Sequence, residues 1–398
     1  MAVYNDPQAL KYWASLSAHE IFDATANQSA AMVLPKERKP GKFRVGYYSF
    51  DFRNHPVAYL TARLFELHNK EEFEIFAYSY GPDDDSEIRR RIQQSADKFV
   101  DVKDLSVIHT AQRIAADEID FLIDLTGNTK HHRCQSLALR PARKQAHWLG
   151  FIGTMGSGYY DYIIGDEIVT PLQDQDAFVE KIIELESGFH IADDIRVVKS
   201  CLETRLDLGL PEEGIVFGCF AQTFKIQPEM FDLWMRILDQ VPGSVLWLAN
   251  GPQGSHENLR KEMVLRGVDP DRLVIAQRCD RDQYLSRFSL MDVHLDTFPY
   301  TSGTVASDAL FGGCPLVTLT GATMVSRMAG SILVHAGLPE LVATDPDAYV
   351  RIAVDLADNS AVRLRIRSEL LSKRDNGNLI SAKKITASLE KSIKDVLS

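Results

Sequence analysis

Short apolar runs rich in Phe, Val, Ile and Tyr alternate along this sequence with longer segments of helical periodicity. The runs FRVGYYSF, FEIFAYSY, FLIDL and YDYIIGD lie in the first half, and IVFGCFA, SVLWLAN, LVIAQ, VHLDT and PLVTL lie in the second. Helices such as Pro228–Gln240 and Tyr284–Met291 are expected between them. Such alternation is typical of parallel βαβ units, so the sequence predicts an α/β fold.

The length and two changes of pattern suggest the domain organisation. A chain of 398 residues is too long for one ordinary core and suits two domains. We expect a helical arm and linker over 1–42, a Rossmann-like domain over 43–192, a second over 193–380 and an amphipathic closing helix over 381–398. Both domains are expected to be doubly wound, with a ligand in the cleft between them.

Charge and cysteine content exclude several classes of protein. With 44 basic and 55 acidic residues and a formal net charge of -11, a nucleic-acid-binding surface is not expected. The five cysteines lack CxxC spacing, which disfavours a disulfide framework or structural zinc site and favours the reducing cytoplasm. No stretch approaches 18 uninterrupted apolar residues, so no membrane span is predicted.

The stretch HLDTFPYTSGTVASDALFGGCPLVTL is the most informative. It predicts a strand, a loop and a helix from about Thr304, whose free amides at Gly303, Thr304 and Val305 would form an anion site suited to a diphosphate. Asp308, one turn further, could accept hydrogen bonds from ribose. Alternatively, Ser302 or Thr304 simply caps the helix and Asp308 favours its dipole.

Two further residues follow predicted strands. Lys225 comes after IVFGCFA, at the strand edge where parallel sheets bind ligands, and could stabilise a leaving phosphate; alternatively it is a solvated loop lysine. His55 comes after FRVGYYSF and could act as a general base or hydrogen-bond donor; alternatively it is structural. The adjacent His131 and His132 have no carboxylate positioned with them, so metal binding there is not expected.

Several motifs carry a resemblance to a known family. FRVGYYSFDFRNHPVAYL, LIDLTGNTK, ALRPARKQAHWLGFIGTMG, DYIIGDEIVTP, FGCFAQTFKIQPEMFDLWMRIL and the stretch around Thr304 closely resemble the catalytic region of the protein O-GlcNAc transferases, bacterial members included. The resemblance covers about 43–341, with the motifs in the same order. It implies a GT-B fold of two domains facing across a cleft, a UDP-sugar co-substrate bound mainly by the second domain, inversion at the anomeric carbon, and no metal or other cofactor.

The resemblance also implies roles for individual positions. His55 matches the histidine of the family's NHP motif. Gln222 and Lys225 match residues that contact the diphosphate, and Thr304 matches the threonine at the start of the phosphate-binding helix. Asp308 matches the aspartate of the nucleotide site, and Arg281 and Arg287 lie where the family has basic residues near the ribose and uracil.

The sequence also departs from the animal enzymes at four places. Gly303-Thr304-Val305 replaces HTT, and Tyr284 replaces a histidine that stacks on uracil. Phe224 replaces a tyrosine, and Asp120 replaces a histidine.

The predicted function is inverting, metal-independent transfer of a sugar, GlcNAc in the first instance, from a UDP-sugar to a Ser or Thr hydroxyl of protein. One alternative is a UDP-glucose-dependent asparagine N-glucosyltransferase. Another is a non-catalytic UDP-sugar-binding scaffold. The 42 residues before the first strand show no 34-residue period, so acceptor recognition is expected either in the cleft or through a separate acceptor-presenting partner.

Overall fold

The computed structural model describes residues 4–25, 38 and 40–398. The predicted helical arm begins as a helix at Pro7–Thr25. The rest of the arm and much of the linker lie outside the described residues. Among those described, no helix combines the length and the apolar character needed to cross a membrane.

Strands and helices alternate through the chain. The strands are β1 (Phe43–Ser49), β2 (Phe73–Ser79), β3 (Lys98–Asp101), β4 (Phe121–Asp124), β5 (Lys144–His147), β6 (Tyr162–Gly165), β7 (Lys181–Glu184), β8 (Val216–Cys219), β9 (Val245–Ala249), β10 (Leu273–Ala276), β11 (Val293–Leu295), β12 (Leu316–Leu319) and β13 (Val342–Ala343). The helices are α1 (Pro7–Thr25), α2 (Pro56–Leu67), α3 (Glu87–Ser95), α4 (Val107–Ala116), α5 (Cys134–Ala138), α6 (Pro228–Gln240), α7 (Ser255–Leu265), α8 (Arg281–Arg287), α9 (Thr304–Phe311), α10 (Met324–His335), α11 (Pro346–Asp358), α12 (Ser360–Asp375) and α13 (Ala382–Leu397).

The chain forms two compact units. The first unit contains residues 6–193 together with 381–398, and the second contains residues 194–380 together with the N-terminal residues up to Asn5. The closing helix α13 therefore belongs to the first unit. It buries Ile385, Leu389 and Ile393 on one face. Its Glu390 carboxylate accepts a hydrogen bond from the amide of Asn69 at 2.8 Å and lies 2.9 Å from Nδ1 of His68.

The first unit is built on a seven-stranded parallel sheet in the order β3-β2-β1-β4-β5-β6-β7. Its central strands β1 and β4 are almost entirely buried. Because helices cover both faces of a parallel sheet, such strands are continuously apolar rather than alternating, which explains runs such as FLID.

The second unit is built on a six-stranded parallel sheet in the order β10-β9-β8-β11-β12-β13. The predicted helix Pro228–Gln240 is α6, with Pro228 in its first turn. The helix predicted over Tyr284–Met291 begins earlier, at Arg281, because the Asp280 carboxylate caps it by accepting from the amide of Gln283. It ends at Arg287 and continues only as a 3₁₀ turn over Phe288–Leu290.

Candidate active site

Strand order in the second sheet identifies its ligand-binding edge. From β8 the chain moves outward through β9 and β10, then returns to the other side of β8 with β11 and moves outward through β12 and β13. The carboxyl ends of β8 and β11 therefore flank a topological switch point, where open α/β sheets bind ligands. The loop carrying Lys225 follows β8, and the loop that leads into α9 follows β11.

Lys225 connects these two loops. It ends a one-turn 3₁₀ helix, Thr223–Lys225, and its Nζ donates to the carbonyl oxygen of Thr301 at 3.2 Å. The same Nζ lies 3.7 Å from the centroid of the Tyr300 ring. Burial lowers the pKa of Lys225 to about 8, against the opposing effect of the Asp296 charge. A lysine so placed is not the solvated side chain of the alternative interpretation.

The start of α9 has open amides. Gly303 is its N-cap residue, and among the described residues no side chain caps this helix. The capping alternative for Ser302 and Thr304 is therefore wrong, because neither side chain makes a capping hydrogen bond to this helix. Gly303, Thr304 and Val305 are each partly accessible, so their amides and the positive end of the helix dipole can receive an anion.

Asp296 is a site residue that the sequence analysis did not identify. It directly follows β11, is fully buried, and accepts hydrogen bonds from the amide of Ser302 at 3.0 and 3.2 Å and from the hydroxyl of Thr318 at 2.8 Å. Burial raises its pKa, while these hydrogen bonds and the charge of Lys225 act in the opposite direction. An acidic residue immediately after a buried parallel strand was the available signal.

Asp308 lies on the buried side of α9. Only 1% of the residue is exposed, and its Oδ1 accepts from Arg196 Nη1 at 2.6 Å and lies 3.8 Å from Arg281 Nη2. Arg196 also donates to the carbonyl of Ser307 at 3.2 Å. The carboxylate is thus already held by a buried guanidinium. Its predicted contact with ribose remains a prediction.

The remaining predicted residues have different environments. Tyr284 lies near Asp308, and burial raises the pKa of its phenol. Arg287 is buried and donates to both carboxylate oxygens of Glu203, at 2.8 and 2.7 Å, and to a backbone carbonyl at 2.7 Å. Gln222 is exposed beside the Lys225 turn. Of these three, Gln222 is the most accessible, whereas the guanidinium of Arg287 is used within the fold.

His55 lies at the corresponding position of the first unit. In that sheet the switch point is between β1 and β4, and His55 follows β1 as the N-cap of α2. Its Nδ1 accepts from the amide of Val57 at 3.3 Å and lies 3.5 Å from a carboxylate oxygen of Asp51. Burial lowers the pKa of His55, against the opposing effect of the Asp51 charge. Because Nδ1 is the acceptor, the ring proton lies on Nε2, which makes His55 a hydrogen-bond donor at that atom.

Each of the two parallel α/β units thus has polar residues at its switch point. The sequence of the chain matches a known family of proteins. The model of glycosyl transferase family 41 matches residues 20–203 and 194–389. The chain belongs to glycosyl transferase family 41.

Two similar proteins carry the name of a peptide N-acetylglucosaminyltransferase. The chain is 35% identical to the probable UDP-N-acetylglucosamine--peptide N-acetylglucosaminyltransferase SEC of Arabidopsis thaliana, over 90% of this chain and 38% of that protein. It is 27% identical to the corresponding enzyme of Caenorhabditis elegans, over 88% of this chain and 40% of that protein. The chain thus spans about two fifths of the length of these relatives.

Solved structures agree with the family 41 assignment. A mutant O-GlcNAc transferase of Thermobaculum terrenum superposes with a TM-score of 0.89 at 29% identity, covering all of this chain and 76% of that one. Anabaena HepE in complex with UDP and glucose superposes with a TM-score of 0.58 at 12% identity, over 89% of this chain and 100% of that one, which shows the fold alone. The fold is GT-B, as predicted.

The structure shows the environment of two residues, Asp120 and Phe224, that differ from those of the animal enzymes of this family. Asp120 is buried, accepts from the amide of Arg44 at 3.0 Å, and lies 3.8 Å from Arg143. Phe224 is 55% exposed, with its ring centroid 6.1 Å from that of Tyr300. Asp120 is therefore held by the fold of the first unit, whereas Phe224 is exposed beside Lys225.

Proposed function

We propose that this chain transfers N-acetylglucosamine from UDP-N-acetylglucosamine to a Ser or Thr hydroxyl of a protein, with inversion at the anomeric carbon and without a metal ion. The names of the family 41 relatives support the donor and the acceptor class. The observation that carries the proposal is the meeting of Lys225 with the uncapped start of α9 at the switch point of the second sheet.

This meeting suits a nucleoside diphosphate as leaving group. As the bond from sugar to phosphate breaks, negative charge grows on the diphosphate. A preorganised ammonium and free backbone amides stabilise that charge, and each such donor is worth ~10² to 10³ in rate. Most of the Lys225 side chain is buried, so its charge is less screened than that of a surface lysine.

The acceptor hydroxyl attacks the anomeric carbon from the face opposite the diphosphate. As its oxygen bonds to that carbon, the hydroxyl must give its proton to a base. We assign His55 the role of hydrogen-bond donor to the acceptor hydroxyl. It donates through Nε2, because its Nδ1 accepts from the amide of Val57. We assign the proton to a phosphate oxygen of the departing UDP. Burial lowers the pKa of His55, which makes its ring a weaker proton acceptor.

The partners follow from the same proposal: a UDP-sugar donor and a protein acceptor. Acceptors are presented either by this chain itself or by a separate partner. All five cysteines are free thiols, which is typical of a reducing compartment and supports the cytoplasm.

The test is transfer of labelled sugar. Purified protein is incubated with UDP-N-acetylglucosamine or UDP-glucose, each labelled in the sugar, in a lysate and also alone. We expect label from UDP-N-acetylglucosamine on Ser or Thr of proteins, slow donor hydrolysis without acceptor, and loss of both with Lys225→Ala. Label from UDP-glucose on asparagine would support the N-glucosyltransferase instead. Binding of UDP without transfer or hydrolysis would support the scaffold.

A further inference from the structure

One peptide unit in the second unit connects a cation to an anion. The carbonyl of Thr301 accepts from Lys225 Nζ at 3.2 Å, and the amide of the next residue, Ser302, donates to the Asp296 carboxylate at 3.0 and 3.2 Å. Both groups belong to the Thr301–Ser302 peptide bond. Its dipole is therefore aligned with its oxygen toward the ammonium and its hydrogen toward the carboxylate. Hydrogen bonds in such a series polarise and strengthen one another.

The groups around this series leave Asp296 as the counter-charge. The Lys225 ammonium lies over the aromatic ring of Tyr300, and the Cys219 thiol is near enough to influence its charge. Burial raises the pKa of both the phenol and the thiol, which favours their uncharged forms. On its other side Asp296 accepts from the hydroxyl of Thr318 at 2.8 Å. Burial acts against both charges, lowering the pKa of Lys225 and raising that of Asp296, and each charge opposes this effect on the other.

The same peptide also determines how α9 begins. Ser302 immediately precedes Gly303, the N-cap, so fixing the Ser302 amide on Asp296 fixes the direction of the chain into the helix. The backbone carbonyl of Asp296 is itself held by the Tyr349 hydroxyl at 2.9 Å. The buried carboxylate thus has a firm position from which to hold the loop.

We propose that Asp296 is a positioning residue for the donor diphosphate: through the Thr301–Ser302 peptide it keeps the Lys225 ammonium charged and in place, and it holds the open amides at the start of α9. The ligand in this statement rests on the proposed function. The coupling between Asp296 and Lys225 is a property of the free protein and is tested without ligand.

The first experiment measures the pKa of Lys225 by NMR in protein labelled with ¹³C at lysine Cε, the signal being assigned by its loss in Lys225→Met. Asp296→Asn has the same size and its amide oxygen still accepts from Ser302, so it removes mainly the charge. We expect the pKa of Lys225 to fall by roughly one unit, since a negative charge favouring the ammonium is lost. Thr318→Val removes a hydrogen bond to Asp296 but no charge, and should leave that pKa nearly unchanged.

A reciprocal measurement keeps the test decisive if Asp296→Asn does not fold. In Lys225→Met, the carboxyl of Asp296, followed by ¹³C at its Cγ, should titrate at higher pH than in the wild type. An unchanged pKa of Lys225 in folded Asp296→Asn, or an unchanged pKa of Asp296 in Lys225→Met, would overturn the coupling.

The second experiment measures UDP affinity by calorimetry from pH 6.5 to 9.5. Wild-type affinity should fall as pH rises through the pKa of Lys225, and in Asp296→Asn the fall should begin at lower pH. If the pKa of Lys225 shifts in Asp296→Asn but the affinity profile does not, the positioning role is overturned. If the wild-type protein binds no UDP at any pH, the proposed function is overturned, while the NMR result still decides the coupling.

Discussion

Lys225 is the residue in which charge, burial and position combine most directly. Its ammonium is largely withdrawn from water beside the Tyr300 ring, which costs solvation that a diphosphate can restore. If its charge stabilises the departing UDP, Lys225→Ala should lower kcat by ~10² to 10³ and weaken donor binding much less.

Measurement of kcat and of the donor Kd separates these two effects. Lys225→Arg is the matched variant because it retains the charge, yet its longer planar guanidinium does not reproduce a compact ammonium on the Thr301 carbonyl. It should rescue poorly. Near-normal kcat in Lys225→Ala would remove the leaving-group role.

His55 gives the second prediction at this scale. Because its Nδ1 is held by the amide of Val57, His55→Ala removes an Nε2 donor and should abolish most transfer while leaving UDP affinity unchanged. His55→Asn, whose side chain can also cap a helix, controls for loss of the α2 cap. Both variants are assayed by sugar transfer and UDP calorimetry. Full turnover in His55→Ala would exclude the residue from the mechanism.

Asp308 should affect stability as well as binding. Its carboxylate is 1% exposed and pairs with Arg196, so Asp308→Ala breaks a buried ion pair by removing one partner, which costs about 3 to 5 kcal/mol. If it also contacts ribose, UDP affinity should fall roughly ten- to a hundredfold. Arg196→Met breaks the same pair while keeping the carboxylate. Thermal unfolding should show both variants destabilised; equal losses of UDP affinity in the two would argue against the ribose contact.

Single residues differ in how far sequence reveals their roles. Lys225 could be proposed because it follows a buried parallel strand, and such strands end at the ligand edge whatever the details of the loop. Asp296 also follows such a strand, which marks its place, but its role as a hydrogen-bond acceptor becomes apparent only when the loop folds back so that the Ser302 amide reaches it. Arg287 is similar: its contact with Glu203 joins residues 84 apart, which no local pattern reveals.

At the scale of elements, the first turn of α9 is the part of the helix that we expect to bind the diphosphate. Its N-cap residue is Gly303, whose backbone leaves the following amides uncapped. A carboxylate at this position would repel a diphosphate and compete for the amides. We expect Gly303→Asp to weaken UDP binding at least about tenfold relative to Gly303→Asn, which has nearly the same shape without the charge. Equal affinities of the two variants, measured by calorimetry, would place the diphosphate away from this helix start.

Local pattern predicted most elements well and their associations less well. Helix α6 lies at its predicted bounds because Pro228 marks its first turn, and α9 begins at the predicted Thr304. The amphipathic spacing after Ser381 predicted helix α13, but not the unit to which it belongs. The unit to which α13 belongs depends on contacts such as that of Glu390 with His68, which joins residues 322 apart. It also depends on which surface of the folded chain packs against the apolar face of the helix.

The whole molecule is acidic, and this shapes the problem of binding a UDP-sugar. A formal net charge of -11 disfavours any dianionic ligand, so positive charge must be supplied locally. Either a bound divalent cation or the protein's own groups can do this. In the second unit the ammonium of Lys225 and the dipole of α9 are already directed to one place, the switch point between β8 and β11.

We therefore expect UDP to bind without a divalent metal. Calorimetry in excess chelator should give the same affinity as calorimetry with added Mg²⁺ or Mn²⁺, because the protein's own positive groups stabilise the diphosphate in both conditions. Lys225→Ala provides the matched comparison: if a metal could substitute for the ammonium, adding Mg²⁺ should restore affinity to this variant, and we expect that it will not. A collapse of wild-type affinity on chelation, reversed by returning the cation, would mean that the charge at the switch point is insufficient and that a metal completes the site.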